Sequence, residues 1–150
     1  GNDMELDWNS PANTRAWVDG YAENAGSRYL YNLGDNAGTH SGSTGGYTHN
    51  RNNGWTTNDV LYISLVKSIC YPTPQIYYTT MANQWYNASL YYYNQYGSKF
   101  IFSGLLSQDR AAGNDLYADQ SYNALKTELA KSTNTSQSSF SYPTIMKWQP

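Results

Sequence analysis

The chain has 150 residues, enough for one domain with its own core and short for two. Its formal net charge is -2 and only 13% of its residues are charged, so it offers no basic surface for nucleic acid. No apolar run approaches the roughly 20 residues of a membrane-spanning helix, and a single cysteine, Cys70, excludes an intrachain disulfide framework and a thiol-based metal site.

Solubility rests instead on amides, hydroxyls and phenols. There are 16 Tyr, 5 Trp and about as many Asn as Tyr. Sugars stack on aromatic faces and hydrogen-bond to amides, so the composition suits a protein that touches carbohydrate. Tyr equally serves to fill core and half-buried positions.

The first eight residues, Gly1 to Trp8, read as a strand in which Asp3, Glu5 and Asp7 share one face and Met4, Leu6 and Trp8 the other. Three carboxylates in a row repel one another and resist burial. Asn9-Ser10-Pro11 is a helix-start signal, and the helix is expected over Pro11 to Glu23. Arg28 to Leu33 reads as a strand ending at Gly34-Asp35, which completes a βαβ pattern.

From Asn36 to Gly54 almost nothing can be buried, and a long loop is expected. His40 and His49 lie in it nine apart with no fixed carboxylate pattern, a poor metal signature. Trp55 to Asp59 reads as one helical turn feeding a buried strand, Val60 to Val66. Gln75 to Thr79 is the next short strand, Met81 to Tyr96 a helix stopped by Gly97, and Lys99 to Gly104 a strand. Gln108 to Asp115 is a polar loop, Tyr117 to Lys131 a final helix, and Phe140 to Trp148 extended. Residues 1–131 thus form the α/β domain, with a polar linker and an extended segment over 132–150. Asn87 and Asn134 head Asn-x-Ser/Thr triplets, weak signals of glycosylation in so Asn-rich a chain. The chain does not start with Met, begins directly on a strand, and reads as a mature, processed or truncated product.

Four stretches together resemble a family of secreted bacterial proteins with a glycoside-hydrolase-like (β/α)-barrel domain: GNDMELDWNSPANTRAWVDGY, YLYNLGDN, NNGWTTNDVLYISL and PQIYYTTMANQWYNASLYYYNQYGSKFIFSGLLSQ. They cover most of residues 1–108, in the order of the C-terminal half of that domain. The resemblance implies a secreted, extracellular protein with about five mainly parallel strands and flanking helices, like half of a (β/α)8 barrel. Its partners would be a glycan and, because half a barrel leaves an open sheet edge, either a missing N-terminal half or further copies in a homo-oligomer, unless the fold is a smaller open α/β sandwich. Asp3-x-Glu5-x-Asp7 is similar to the alternating acids that end a central strand in chitinase-like and lysozyme-like barrels. It departs from the chitinase order in that Asp7 follows Glu5.

In glycoside hydrolysis two carboxyls flank the bond, about 5–5.5 Å apart for retention and about 6.5–9.5 Å for inversion. Alternate residues on a strand are roughly 6.5–7 Å apart at the backbone, which serves either outcome. Crowding raises the pKa of one member, as a proton donor needs, and Glu5 at the centre of the trio is the expected general acid. Asp3 or Asp7 would be base or charge stabiliser, Asp35 on the same rim a further candidate, and Tyr31, Tyr62, Tyr78 and Trp85 the subsite walls. Nothing in the sequence calls for a cofactor or metal: there is no nucleotide motif, phosphate-binding loop or Ser-His-Asp set. Two other readings stay open, a non-catalytic glycan-binding module and a self-assembling extracellular structural protein.

Overall fold

The Ser10 hydroxyl accepts from the backbone N–H of Asn13 at 3.3 Å, and Pro11 supplies the fixed φ of a first helical position. In the computed structural model, which describes residues 1–36, 54–109 and 116–147, the helix they start, α1, runs Pro11–Asn24. Strand β1 (Leu30–Asn32) follows, then helix α2 (Thr57–Leu61), which runs directly into a π-helical turn (Tyr62–Val66). The rest is β2 (Cys70–Pro72), α3 (Thr79–Tyr96), β3 (Gly104–Asp109), α4 (Ala118–Leu129) and β4 (Tyr142–Lys147). No helix among the described residues is long and apolar enough to cross a membrane.

β1 pairs with β2 and β3 with β4, both in parallel, giving two two-stranded sheets. Isolated parallel bridges place Asn2 beside Asn32 and Gln75 beside Leu106. The expectation of about five mainly parallel strands forming half of a (β/α)8 barrel is therefore corrected. The fold is mixed α/β, but among the described residues its sheets are small and its four strands short.

Local chemistry explains the shortfall. Pro72 and Pro74 face residues 103–106, accepting from the Ser103 and Leu106 N–H groups at 2.9 Å but offering no N–H in return, so β2 and β3 join only through the single bridge at Gln75, just before α3 begins. The run Val60 to Val66, expected as a buried strand, is helical. Thr56 and Asp59 form a capping box: Thr56 Oγ1 accepts from the Asp59 N–H at 3.3 Å, and Asp59 Oδ2 accepts from the Thr56 N–H at 2.9 Å. A continuous apolar run suits a buried helix as well as a buried strand, and the cap at its start decides for helix. The stretch Lys99 to Gly104 enters the ladder only at Gly104. Ahead of it, the Gln137 amide takes the place of a strand partner, accepting from the Phe102 N–H at 3.0 Å and donating to its carbonyl at 3.3 Å.

The core lies between the strands and helices α3 and α4. Trp85 from α3 meets Phe102 edge-on at 5.8 Å, and Phe140 continues the cluster to Tyr122. Val18, Leu30, Ile76, Leu105, Leu125 and Leu129 close it with 3% exposure or less. α3 ends at Gly97, whose left-handed φ of 66° lets its N–H reach the Tyr93 carbonyl at 2.8 Å. On the far side, α1 is bound to α2 and the π-helical turn through polar contacts. Arg15 pairs with Asp59 at 2.7 Å, and the Tyr62 hydroxyl donates to Asp19 at 2.6 Å. Thr135, fully buried, donates to the Leu129 carbonyl at 2.7 Å and fastens the stretch after α4.

Candidate functional site

The N-terminal segment is extended only briefly. Asn2 exchanges backbone bonds with the end of β1, its N–H donating to Tyr31 and its carbonyl accepting from Leu33, each at 2.9 Å. Asp3 and Glu5 then alternate with buried Met4 and Leu6, as a strand would place them. At Leu6 the chain turns, and the Trp8 N–H reaches back to the Glu5 carbonyl at 3.2 Å. The turn carries Asp7 and Trp8 out to the surface, so the expected trio becomes a pair.

That pair is held by a residue the sequence reading passed over. Gln75 is 2% exposed, and its Nε2 donates one hydrogen bond to Asp3 Oδ1 at 2.6 Å and another to Glu5 Oε1 at 2.8 Å. The only signal for it was a lone amide within the apolar run that follows Pro72 and Pro74; a buried polar side chain needs partners.

Burial raises the Asp3 pKa to about 6, helped by the charge of Glu5 and by a hydrogen bond between the two carboxyls. The pair therefore retains one proton well above the usual carboxylate range. Asp3 is thus the member of the pair whose proton is held above the usual carboxylate range.

The pair opens on a cleft of about 450 Å³, within the range of small-molecule sites. Its walls are the N-terminal segment and the first two turns of α1, with Trp8, Asn9, Asn13, Thr14 and Trp17 facing the carboxyls. Trp8 is 67% and Trp17 47% exposed, unusual for residues so costly to leave in water. Trp17 stacks on Tyr21, with centroids 5.7 Å apart and planes 23° apart. The buried indole of Trp55 donates to the Asn9 carbonyl at 2.8 Å and pins the turn that presents Trp8. No Lys or Arg is among the described residues that line the cleft.

The remaining expected site residues are placed elsewhere. Asp35 is half-buried beyond the end of β1 and is not among the cleft's lining residues. Tyr31 packs against Tyr71 at 5.6 Å on the exposed side of β1. The Tyr62 ring lies beneath the Arg15 guanidinium at 4.3 Å, and its hydroxyl is engaged by Asp19. Tyr78 is the residue before α3. Trp85 is 1% exposed in the core and has no face to offer a ligand. Asn87 sits within α3 at 7% exposure, bonded to Asn83 at 3.2 Å, a position with no room for a glycan. Asn134 is in a half-buried turn. His40 and His49 lie outside the described residues.

Comparisons of the chain with protein-family models, with curated proteins and with solved structures find no match.

Proposed function

We propose that the protein cleaves a glycan, and that Asp3 and Glu5 carry the chemistry. The observation behind this reading is a carboxyl pair that retains a proton, set in a cleft flanked by two exposed indoles. A hydrolase of this kind needs one protonated and one ionised carboxyl on either side of the bond. Indole faces stack on the apolar faces of sugar rings, while Asn9, Asn13 and Thr14 offer amides and a hydroxyl to sugar hydroxyls. A cleft with two carboxyls and no lining cation favours neutral or amino-bearing glycans over acidic ones. The Tyr- and Asn-rich, weakly charged composition fits action outside the cell.

The two accepting oxygens are no farther apart than bonds of 2.6 and 2.8 Å laid end to end. That upper bound falls short of the roughly 6.5–9.5 Å that an inverting enzyme keeps for its water, so of the two outcomes we infer retention. In this mechanism Asp3 gives its proton to the glycosidic oxygen as the C1–O bond breaks, and the Glu5 carboxylate attacks C1 to form a glycosyl ester. Asp3, now ionised, takes a proton from the water that hydrolyses the ester, and the pair is restored.

The test is release of reducing ends from a panel of neutral and amino-bearing oligosaccharides by the wild type, Asp3→Asn and Glu5→Gln. Both substitutions should lower turnover by about 10²–10⁴-fold while leaving binding, read from Trp fluorescence, within about twofold. Binding without cleavage by the wild type would make the protein a glycan-binding module. Neither binding nor cleavage, with sedimentation as large assemblies, would make it structural.

A further inference from the structure

We infer that Gln75 is a positioning residue that acts through Asp3 and Glu5, its one amide nitrogen fixing both carboxyls at a single separation and leaving their second oxygens for the bond between them and for a ligand. Its place in catalysis rests on the hydrolase reading; its hold on the two carboxyls does not.

The count of donors fixes the arrangement. A glutamine amide nitrogen has two hydrogens and no acceptor capacity, and here both hydrogens are used on carboxyl oxygens. An oxygen that accepts from an N–H is the carbonyl-like oxygen of its group, because the hydroxyl oxygen of a protonated carboxyl is the poorer acceptor. With Asp3 Oδ1 and Glu5 Oε1 so engaged, the one proton of the pair falls to Asp3 Oδ2 or Glu5 Oε2. Asp3 and Glu5 both line the cleft, and these are the oxygens left for the bond between the two carboxyls and for a ligand.

The amide is itself immobile. Gln75 is 2% exposed, and it bridges in parallel to Leu106 while the neighbouring Ile76 N–H donates to the Leu106 carbonyl at 2.8 Å. Its own N–H points at the Gly34 carbonyl at 3.4 Å. The side chain therefore projects from backbone tied on two sides, and a fixed donor orients its acceptors more sharply than a surface residue would. Glu5 is the titratable group that the described residues set against Asp3, and the amide is the neutral donor that both carboxyls share.

The experiment replaces Gln75 with Met, which keeps the length and removes both donors, and with Asn, which keeps the amide and loses the reach. Carboxyl ¹³C resonances of Asp3 and Glu5 are followed against pH, and Tm is recorded alongside. Losing donors to the ionised form should raise the Asp3 midpoint by about one pH unit in both variants. On a cleaved glycan, the alkaline limb of the rate profile should move with it, with kcat reduced more than KM. Should the Met variant not fold, the Asn variant carries the same measurement. A lower Tm with unmoved midpoints would show a merely structural glutamine and overturn the inference. Absence of hydrolysis in the wild type defeats the hydrolase reading alone, since the carboxyl titration still decides the role of Gln75.

Discussion

Asp3 is held in a place that is unfavourable to it at neutral pH. An unfolded aspartate releases its proton near pH 3.8, while in the fold burial and Glu5 raise that value to about 6. The folded state therefore binds the proton more tightly. Below about pH 4 both states are protonated and nothing is lost. As pH rises from about 4 to about 6, the ionised form costs stability that is not regained above. Asp3→Asn keeps the amide-sized group and removes the charge. It should raise Tm at pH 7 relative to the wild type, with the difference vanishing near pH 4, as thermal melts across this range would show. An equal Tm difference at both pH values would mean that Asp3 titrates as an exposed carboxylate. A solvated strand end has no such cost, and the cost is what keeps Asp3 a candidate site residue.

At the scale of elements, helices were easier to read than strands. α1, α3 and α4 announce themselves through caps, stops and apolar stripes that are local in sequence: Ser10-Pro11, Gly97, and the pair Leu125 and Leu129. Strands owe their existence to partners far along the chain, and here prolines and the Thr56–Asp59 cap overrode apolar runs that read as strand. The site shows the same division. Alternation placed Asp3 and Glu5 together, because the period of two is local. Gln75 lies 72 residues from Asp3 and was invisible to any local pattern. The turn at Leu6, which moves Asp7 aside and exposes Trp8, depends in part on the Trp55 indole holding Asn9. Trp85 and Tyr62 were misplaced because aromatic character alone does not separate core from cleft.

The crossing of the N-terminal segment over the end of β1 is the joint on which the pair depends. A Cβ at Gly34 would stand 2.5 Å from the Met4 carbonyl oxygen and 3.1 Å from its carbon, and both are backbone atoms with little freedom to move. Met4 is flanked by Asp3 and Glu5, so any shift there moves both carboxyls off Gln75. Gly34→Ala should cost about 1–3 kcal/mol in chemical denaturation and should abolish the raised Asp3 titration in the folded protein. A variant with wild-type stability and titration would show that the segment is not fixed at this crossing.

Over the whole molecule, the candidate site is anchored to a single core, to which Met4 and Leu6 belong together with Trp85, Phe100, Phe102 and Phe140. The aromatic cluster of Trp85, Phe100, Phe102 and Phe140 holds α3, α4 and the second sheet together, and the cleft lies between α1 and the N-terminal segment. The segment that carries the pair is attached by the Asn2 bridge, the Gln75 amide and the buried side chains of Met4 and Leu6. The direct measurement is the rate of reducing-end release from a cleaved oligosaccharide between pH 4 and 8. Protonated Asp3 as the acid predicts a rate that falls about tenfold per pH unit above about 6. A rate that stays level from pH 5 to 8, or no release at any pH, would contradict it.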